Sequence, residues 1–203
     1  MDKIGISITE KRPKDIEGLA EDKRLTHCAM VARAREGEVF YARPENFRCA
    51  LARFNLGLQK RVDTFKSSVV KYLISHGHAK DEEVARMCLE SKGQLKEGNK
   101  YLTYFPMAKR PLEPDIVICI GIPLEMMDLV HKMAKETGEI VRGSMSGVSA
   151  MCGEATVIPL ITEKPNLSLG CCGTRKFGRL KENELILGIP IKGRYGSYGL
   201  CED

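Results

Sequence analysis

"EPDIVICIGIPLEMMDLVHKMAKETG", residues 113–138, is the stretch from which the fold is read. Ile116 to Ile120 form an almost unbroken β-branched run bounded by Pro114 and Pro123, the signature of a strand buried on both faces. A helix follows at once, with Pro123 near its start and Gly138 where it stops. A buried strand feeding a helix needs further strands beside it and a second layer on top.

The flanking sequence supplies both. IGISI (4–8) alternates as a short strand, and a polar connection carries the chain to about residue 25. LTHCAMVARAREG (25–37) reads as a helix that Thr26 can cap, with Met30, Val31 and Ala34 on its apolar face and Gly37 at its stop. EVFYAR (38–43) reads as a strand, and PENFRCALARFNLGL (44–58) as a helix ending near Gly57. A helix or strand over 67–75, a Gly turn, and a helix from Asp81 follow, then a strand in KYLTYFPMAK (100–109). VRGSMSGVSAMCGEA (141–155) is small and Gly/Ser-rich and reads as a loop; TVIPLIT (156–162), NLSLG (166–170) and ELILGIP (184–190) read as strands. The expectation is one α/β or α+β domain over residues 1–203, a mixed sheet with packed helices, ending in a Gly-rich, mobile tail from 193.

A chain of 203 residues can bury a proper core without disulfide staples. Its 43% hydrophobic and 29% charged content belong to ordinary globular proteins and not to disordered ones. The net charge of +5 is spread along the chain, and with 6% aromatics and no Trp no base-stacking platform is evident, so nucleic acid is not expected as a partner. Neither a signal-peptide run nor a membrane-spanning run occurs, so a cytoplasmic location is expected. Eight cysteines in that compartment point to metal binding or thiol chemistry over a disulfide framework.

The cysteines divide by their place on this map. Cys119 lies inside the buried strand and Cys88 follows Val84 by four on an apolar helix face, so both read as core residues. Cys201 belongs to the tail. Cys28, Cys49, Cys152, Cys171 and Cys172 sit at element boundaries, where side chains from separate segments can converge. Helix starts and Gly-rich turns such as those at Gly153, Gly170 and Gly173 stabilise thiolates, the form in which sulfur binds metal. Compact zinc-type C-x₂₋₄-C pairs and ferredoxin-type cysteine runs are both absent, so spacing by itself does not select a metal.

Five blocks carry a resemblance. HCAMVARAREGEVFYARPENFRCALARFNLGL (27–58), GIPLEMMDLVHKMAKETGE (121–139), SGVSAMCGEATVIPLIT (146–162), NLSLGCCGTRKF (166–177) and ELILGIP (184–190) resemble, in this order, the domain of unknown function 169 family. The resemblance implies cysteines of a common pattern at Cys28, Cys49, Cys152 and Cys171, with a Gly-Cys-x-Gly turn followed by an Arg that matches Arg175. Cys172 falls on the variable position of that turn. The family is typical of anaerobic bacteria and archaea, which implies an oxygen-sensitive centre.

The leading expectation is a redox or substrate-binding protein holding one [4Fe–4S] cluster through Cys28, Cys49, Cys152 and Cys171. Gly153, Gly170 and Gly173 would bring backbone N–H groups to sulfur, with Cys172 and Arg175 nearby as shielding or anion-binding groups. Two alternatives stand beside it: a structural Zn site with the same ligands, or a thiol enzyme or redox switch using Cys171 or Cys172. Expected partners are a redox protein or a small-molecule ligand, with a homo-oligomer also compatible. His27 is expected to donate to the cluster or to help cap its helix, and His76 and His78 to lie in a solvated turn.

Overall fold

The computed structural model describes residues 1–58 and 63–192. The expectations for the tail and Cys201 fall outside them. Six strands form one sheet: β1 (Asp2–Thr9), β2 (Phe40–Ala42), β3 (Tyr101–Pro106), β4 (Ile116–Gly121), β5 (Asn166–Ser168) and β6 (Leu185–Pro190). Their order is β2-β3-β1-β4-β6-β5, and every pairing is antiparallel. The fold is therefore an α+β domain with its central strands β1 and β4 covered on both faces.

The period-two alternation of β4 sorts its side chains between two layers. Ile116, Ile118 and Ile120 join Ile4, Ile6 and Tyr104 in the larger core, against α1 (His27–Arg35) and α2 (Ala50–Asn55). Val117 and Cys119 face the other way, with Phe105 and Leu187, and are covered by Met126, Leu129 and Met133 of α5 (Pro123–Thr137). Gly138 ends α5 in the left-handed conformation at φ 70°, as its place in the sequence requires. Outside the sheet, α3 (Asp63–Ser75) and α4 (Glu82–Glu90) pack Val69, Val70, Leu73, Ala85 and Leu89 on Leu51 and Phe54 of α2. Among the described residues, no helix is long and apolar enough to cross a membrane.

Four local expectations are corrected. The 44–58 helix is two pieces, a 3₁₀ turn at Pro44–Asn46 and α2, with Cys49 as the N-cap between them. The Gly/Ser-rich segment is a loop only to Ser149; Ala150–Val157 is a π-helix that runs into α6 (Ile158–Thr162). TVIPLIT is thus helical despite its β-branched residues. Tertiary contact overrides propensity here: the Ala155 carbonyl sits so close to β6 that a Cβ on Gly188 would lie 1.9 Å from it. Finally, NLSLG keeps only three residues in β5. Cys171 is the N-cap of α7 (Cys172–Gly178), so the adjacent cysteines start a helix instead of ending a strand.

Arg35 at the end of α1 ties the helix layer to the sheet, through Asp2 of β1 at 2.6 Å and Glu184 before β6 at 2.6 Å. Glu184 is buried and accepts a further bond from the Lys181 N–H at 2.8 Å.

Gly188→Ala is expected to destabilise the protein by about 3 kcal/mol or more, because the added methyl meets backbone that cannot swing away; urea denaturation checks this. Arg35 holds the Glu184 carboxyl below the ordinary carboxylate range, so the pair stabilises the fold above an unfolded pKa of about 4.3 and is lost as pH falls through the folded value. Glu184→Gln is expected to cost about 2 kcal/mol at neutral pH, a gap to wild type that narrows below about pH 4 in parallel urea titrations.

Candidate four-cysteine centre

Four separate elements bring four cysteines to one cavity. Cys28 is the second residue of α1, Cys49 caps α2, Cys152 lies in the π-helix and Cys171 caps α7. All four line a cavity of about 350 Å³, together with Thr26, Leu51, Val148 and Ser149, and its rim includes Arg48, Tyr72, His78, Cys172 and Phe177. These cysteines are free thiols. Every pair among the four is close enough for charge on one to oppose charge on the other.

The local backbone explains how each sulfur is aimed. The π-helix is one residue per turn wider than an α-helix, and its first residue follows Ser149 in the left-handed conformation at φ 50°. That entry turns Cys152 inward, where it is buried and donates to the Ser149 carbonyl at 3.6 Å. Cys49 and Cys171 project from N-cap positions, where Ser or Asp ordinarily accept helix N–H groups.

Polar neighbours contact the sulfurs directly. Asn55, fully buried at the end of α2, donates from Nδ2 to Cys152 Sγ at 3.5 Å, while its Oδ1 has no partner among the described residues. Leaving a buried carbonyl unpaired costs about 1–3 kcal/mol, so this amide is held by its N–H on sulfur. The buried Thr174 hydroxyl is 3.0 Å from Cys171 Sγ and also reaches toward Cys28. Burial pushes the thiols of Cys28, Cys49 and Cys152 up, and the neighbouring cysteines push further. The N–H groups of Ala52 and Leu51 oppose this at Cys49. Four thiolates could therefore share this cavity only around a cationic centre.

One loop wall is fixed by a buried carboxylate. Glu154 accepts from the Ser146 N–H at 2.6 Å, the Ser146 hydroxyl at 2.9 Å and the Ser168 hydroxyl at 2.5 Å. Asn166 of β5 accepts from the Ser144 N–H at 2.8 Å and donates to the Glu154 carbonyl at 2.9 Å. Together they clamp residues 144–149, whose last members line the cavity.

The remaining expected site residues are placed differently. Gly173 lies beside the centre, 3.7 Å from Cys171 Sγ to the position of a Cβ, whereas Gly153 makes room for Asn55 and Lys92, and Gly170 turns at φ 84° against Leu180. Cys172 is exposed on the rim. Arg175 points away: its guanidinium donates to the carbonyls of Lys181 at 2.6 Å and Leu169 at 3.0 Å, closing the turns around α7. His27 neither caps nor reaches the cavity. Its buried ring bridges Tyr104 Oη at 2.8 Å and Thr156 Oγ1 at 3.1 Å, and burial holds its pKa down at about 3. His78 reaches the rim beside Tyr72, and His76 stacks on Tyr72 at 4.0 Å. Asn55, Thr174 and Glu154 escaped the sequence reading. Only Glu154 left a trace, as one charge in an otherwise small and apolar run.

Four thiols are a donor set of the kind that holds either an iron–sulfur cluster or a zinc ion. A lone zinc ion needs its sulfurs within about 2.3 Å of one point. Here the four surround a cavity, and no three His, Cys, Asp or Glu side chains among the described residues converge to hold one ion.

An uncharacterised protein of Methanocaldococcus jannaschii is 28% identical to this chain over 182 residues, which cover 89% of this chain and 77% of that protein. No solved structure matches significantly. The model of the domain of unknown function 169 family, described as "Uncharacterised ArCR", matches residues 3–193, and the chain belongs to that family.

Proposed function

We propose that this protein is a redox protein whose Cys28, Cys49, Cys152 and Cys171 hold one [4Fe–4S] cluster. The observation that carries this reading is the gathering of four thiols, from four distant segments, around one cavity. When bound, such a cluster supplies one-electron transfer at a potential set by hydrogen bonds to sulfur and by burial. The chain's own groups would do the tuning: Asn55 donates to Cys152, the N–H groups at the start of α2 to Cys49, and the Thr174 hydroxyl, 3.0 Å from Cys171 Sγ, would donate to a thiolate there. The rim, with Arg48 stacked 5.1 Å above the Phe177 ring, is the side from which an electron partner or small ligand would approach.

Protein prepared without oxygen is expected to be brown, with iron and acid-labile sulfide near four each per chain. Cys28→Ala, Cys152→Ala or Cys171→Ala should each lose most of both. Zinc without iron would replace the reading with a structural metal site, and metal-free protein with one fast-reacting rim thiol would replace it with thiol chemistry.

Asn55→Leu is expected to keep its iron and to lower the reduction potential by roughly tens of millivolts, because an N–H that favours the more negative, reduced state is gone. Anaerobic redox titration followed in the visible spectrum checks this, and an unchanged potential would remove Asn55 from the tuning role.

A further inference from the structure

The four stretches that deliver the cysteines share a bias in charge. None of the chain's 27 acidic residues falls in 23–35, 46–58, 141–153 or 164–181, whereas twelve of its 32 basic residues do. Residues 64–80, which bring Tyr72 and His78 to the rim, hold no Asp or Glu either. The structure concentrates part of this excess at the cavity mouth. Arg48 and Lys176 lie 5.1 Å and 5.6 Å from the centre of one ring, that of Phe177, which lines the cavity. Both are exposed, and among the described residues neither has a carboxylate partner.

No carboxylate belongs to the cavity lining. Of the acids that flank these stretches in the chain, Glu36 pairs with Arg179, Glu139 pairs with Lys164 at 3.5 Å, and Glu154 is buried in its own hydrogen bonds. Asp22, Glu45, Glu163 and Glu182 are exposed and lie outside the lining. A cluster held by four thiolates is itself an anion, so a mouth without cations would repel a negatively charged electron carrier. Cations set there instead attract such a carrier and orient it on approach. Phe177 meets both cations and lines the cavity, so a carrier held by them stands at the mouth.

We infer that the mouth of the four-cysteine cavity is the docking face for an acidic one-electron carrier protein, recognised by Arg48 and Lys176 around Phe177. The inference rests on the cluster reading above, since it names that cluster's partner. Electron-transfer encounters need only a small interface, below about 1,200 Å² in total. A charged rim around an aromatic centre suits a complex that forms fast and dissociates readily. One electron leaves or enters the cluster, and the carrier's own centre is reduced or oxidised by that one electron.

Anaerobic stopped-flow on the full-length, cluster-loaded protein, reduced in advance, measures this. The acceptors are plant plastocyanin, an acidic copper protein, and cytochrome c, a basic haem protein. In each reaction the cluster loses one electron, and copper(II) becomes copper(I) or haem iron(III) becomes iron(II). Raising salt from about 0.01 M to about 0.3 M is expected to slow plastocyanin reduction about fivefold or more, without slowing cytochrome c reduction. Arg48→Glu combined with Lys176→Glu is expected to slow plastocyanin reduction at low salt about tenfold while the iron content holds. A plastocyanin rate that is indifferent to salt, or rises with it, overturns the inference. Slowing of cytochrome c alone also overturns it and assigns the face to a basic carrier. Should the double variant fail to fold, the wild-type salt profile decides. Iron and sulfide are measured on every preparation. A full cluster without the salt effect overturns the docking face alone, and protein lacking iron overturns the cluster reading together with it.

Discussion

The contact between the Ala155 carbonyl and Gly188 is the constraint on which the candidate site depends. It lets the π-helix lie directly on β6, at a distance that any side chain on residue 188 would forbid. Because Cys152 is in that helix, the close approach sets the floor of the cavity, and α1, α2 and α7 deliver the other three sulfurs around it. A π-helix of eight residues is an uncommon structure, and such segments recur where function requires a local departure from α geometry.

Sulfur chemistry explains why so much polar structure is buried nearby. The thiols of Cys28, Cys49 and Cys152 resist ionisation in this desolvated cavity, and the neighbouring cysteines add to that resistance. The fold nonetheless directs an amide, a hydroxyl and helix-start N–H groups at these sulfurs, and among the described residues the Asn55 carbonyl oxygen finds no partner. Donors aimed at sulfur stabilise negative charge there.

The Lys92 stem packs on the same π-helix at Gly153. One helix thus borders two sulfur environments, the cavity of the four thiols and Cys88, to whose Sγ Lys92 donates at 3.0 Å. Glu154 and Asn166 brace that helix and its preceding loop against β5, so both environments rest on one rigid wall.

Sequence by itself determined the elements that local physics controls. The β-branched run of β4 can only be a buried strand, Pro123 and Gly138 bracket α5, and Thr26 and Asp81 cap α1 and α4 with their own side chains. The residues at element boundaries also picked out five cysteines able to converge, and all five line the one cavity, Cys172 at its exposed rim. What only the tertiary structure decided is everything that depends on contacts between distant segments. TVIPLIT is helical because burial against Gly188 outweighs β propensity, which no local window contains. Arg175 turned out to close its own turns, His27 to bridge the core, and Asn55, Thr174 and Glu154 to serve the site. Their roles lie in pairings up to 129 residues apart or in side-chain direction. A sequence records residue types along one dimension, and neither of those quantities is written in it.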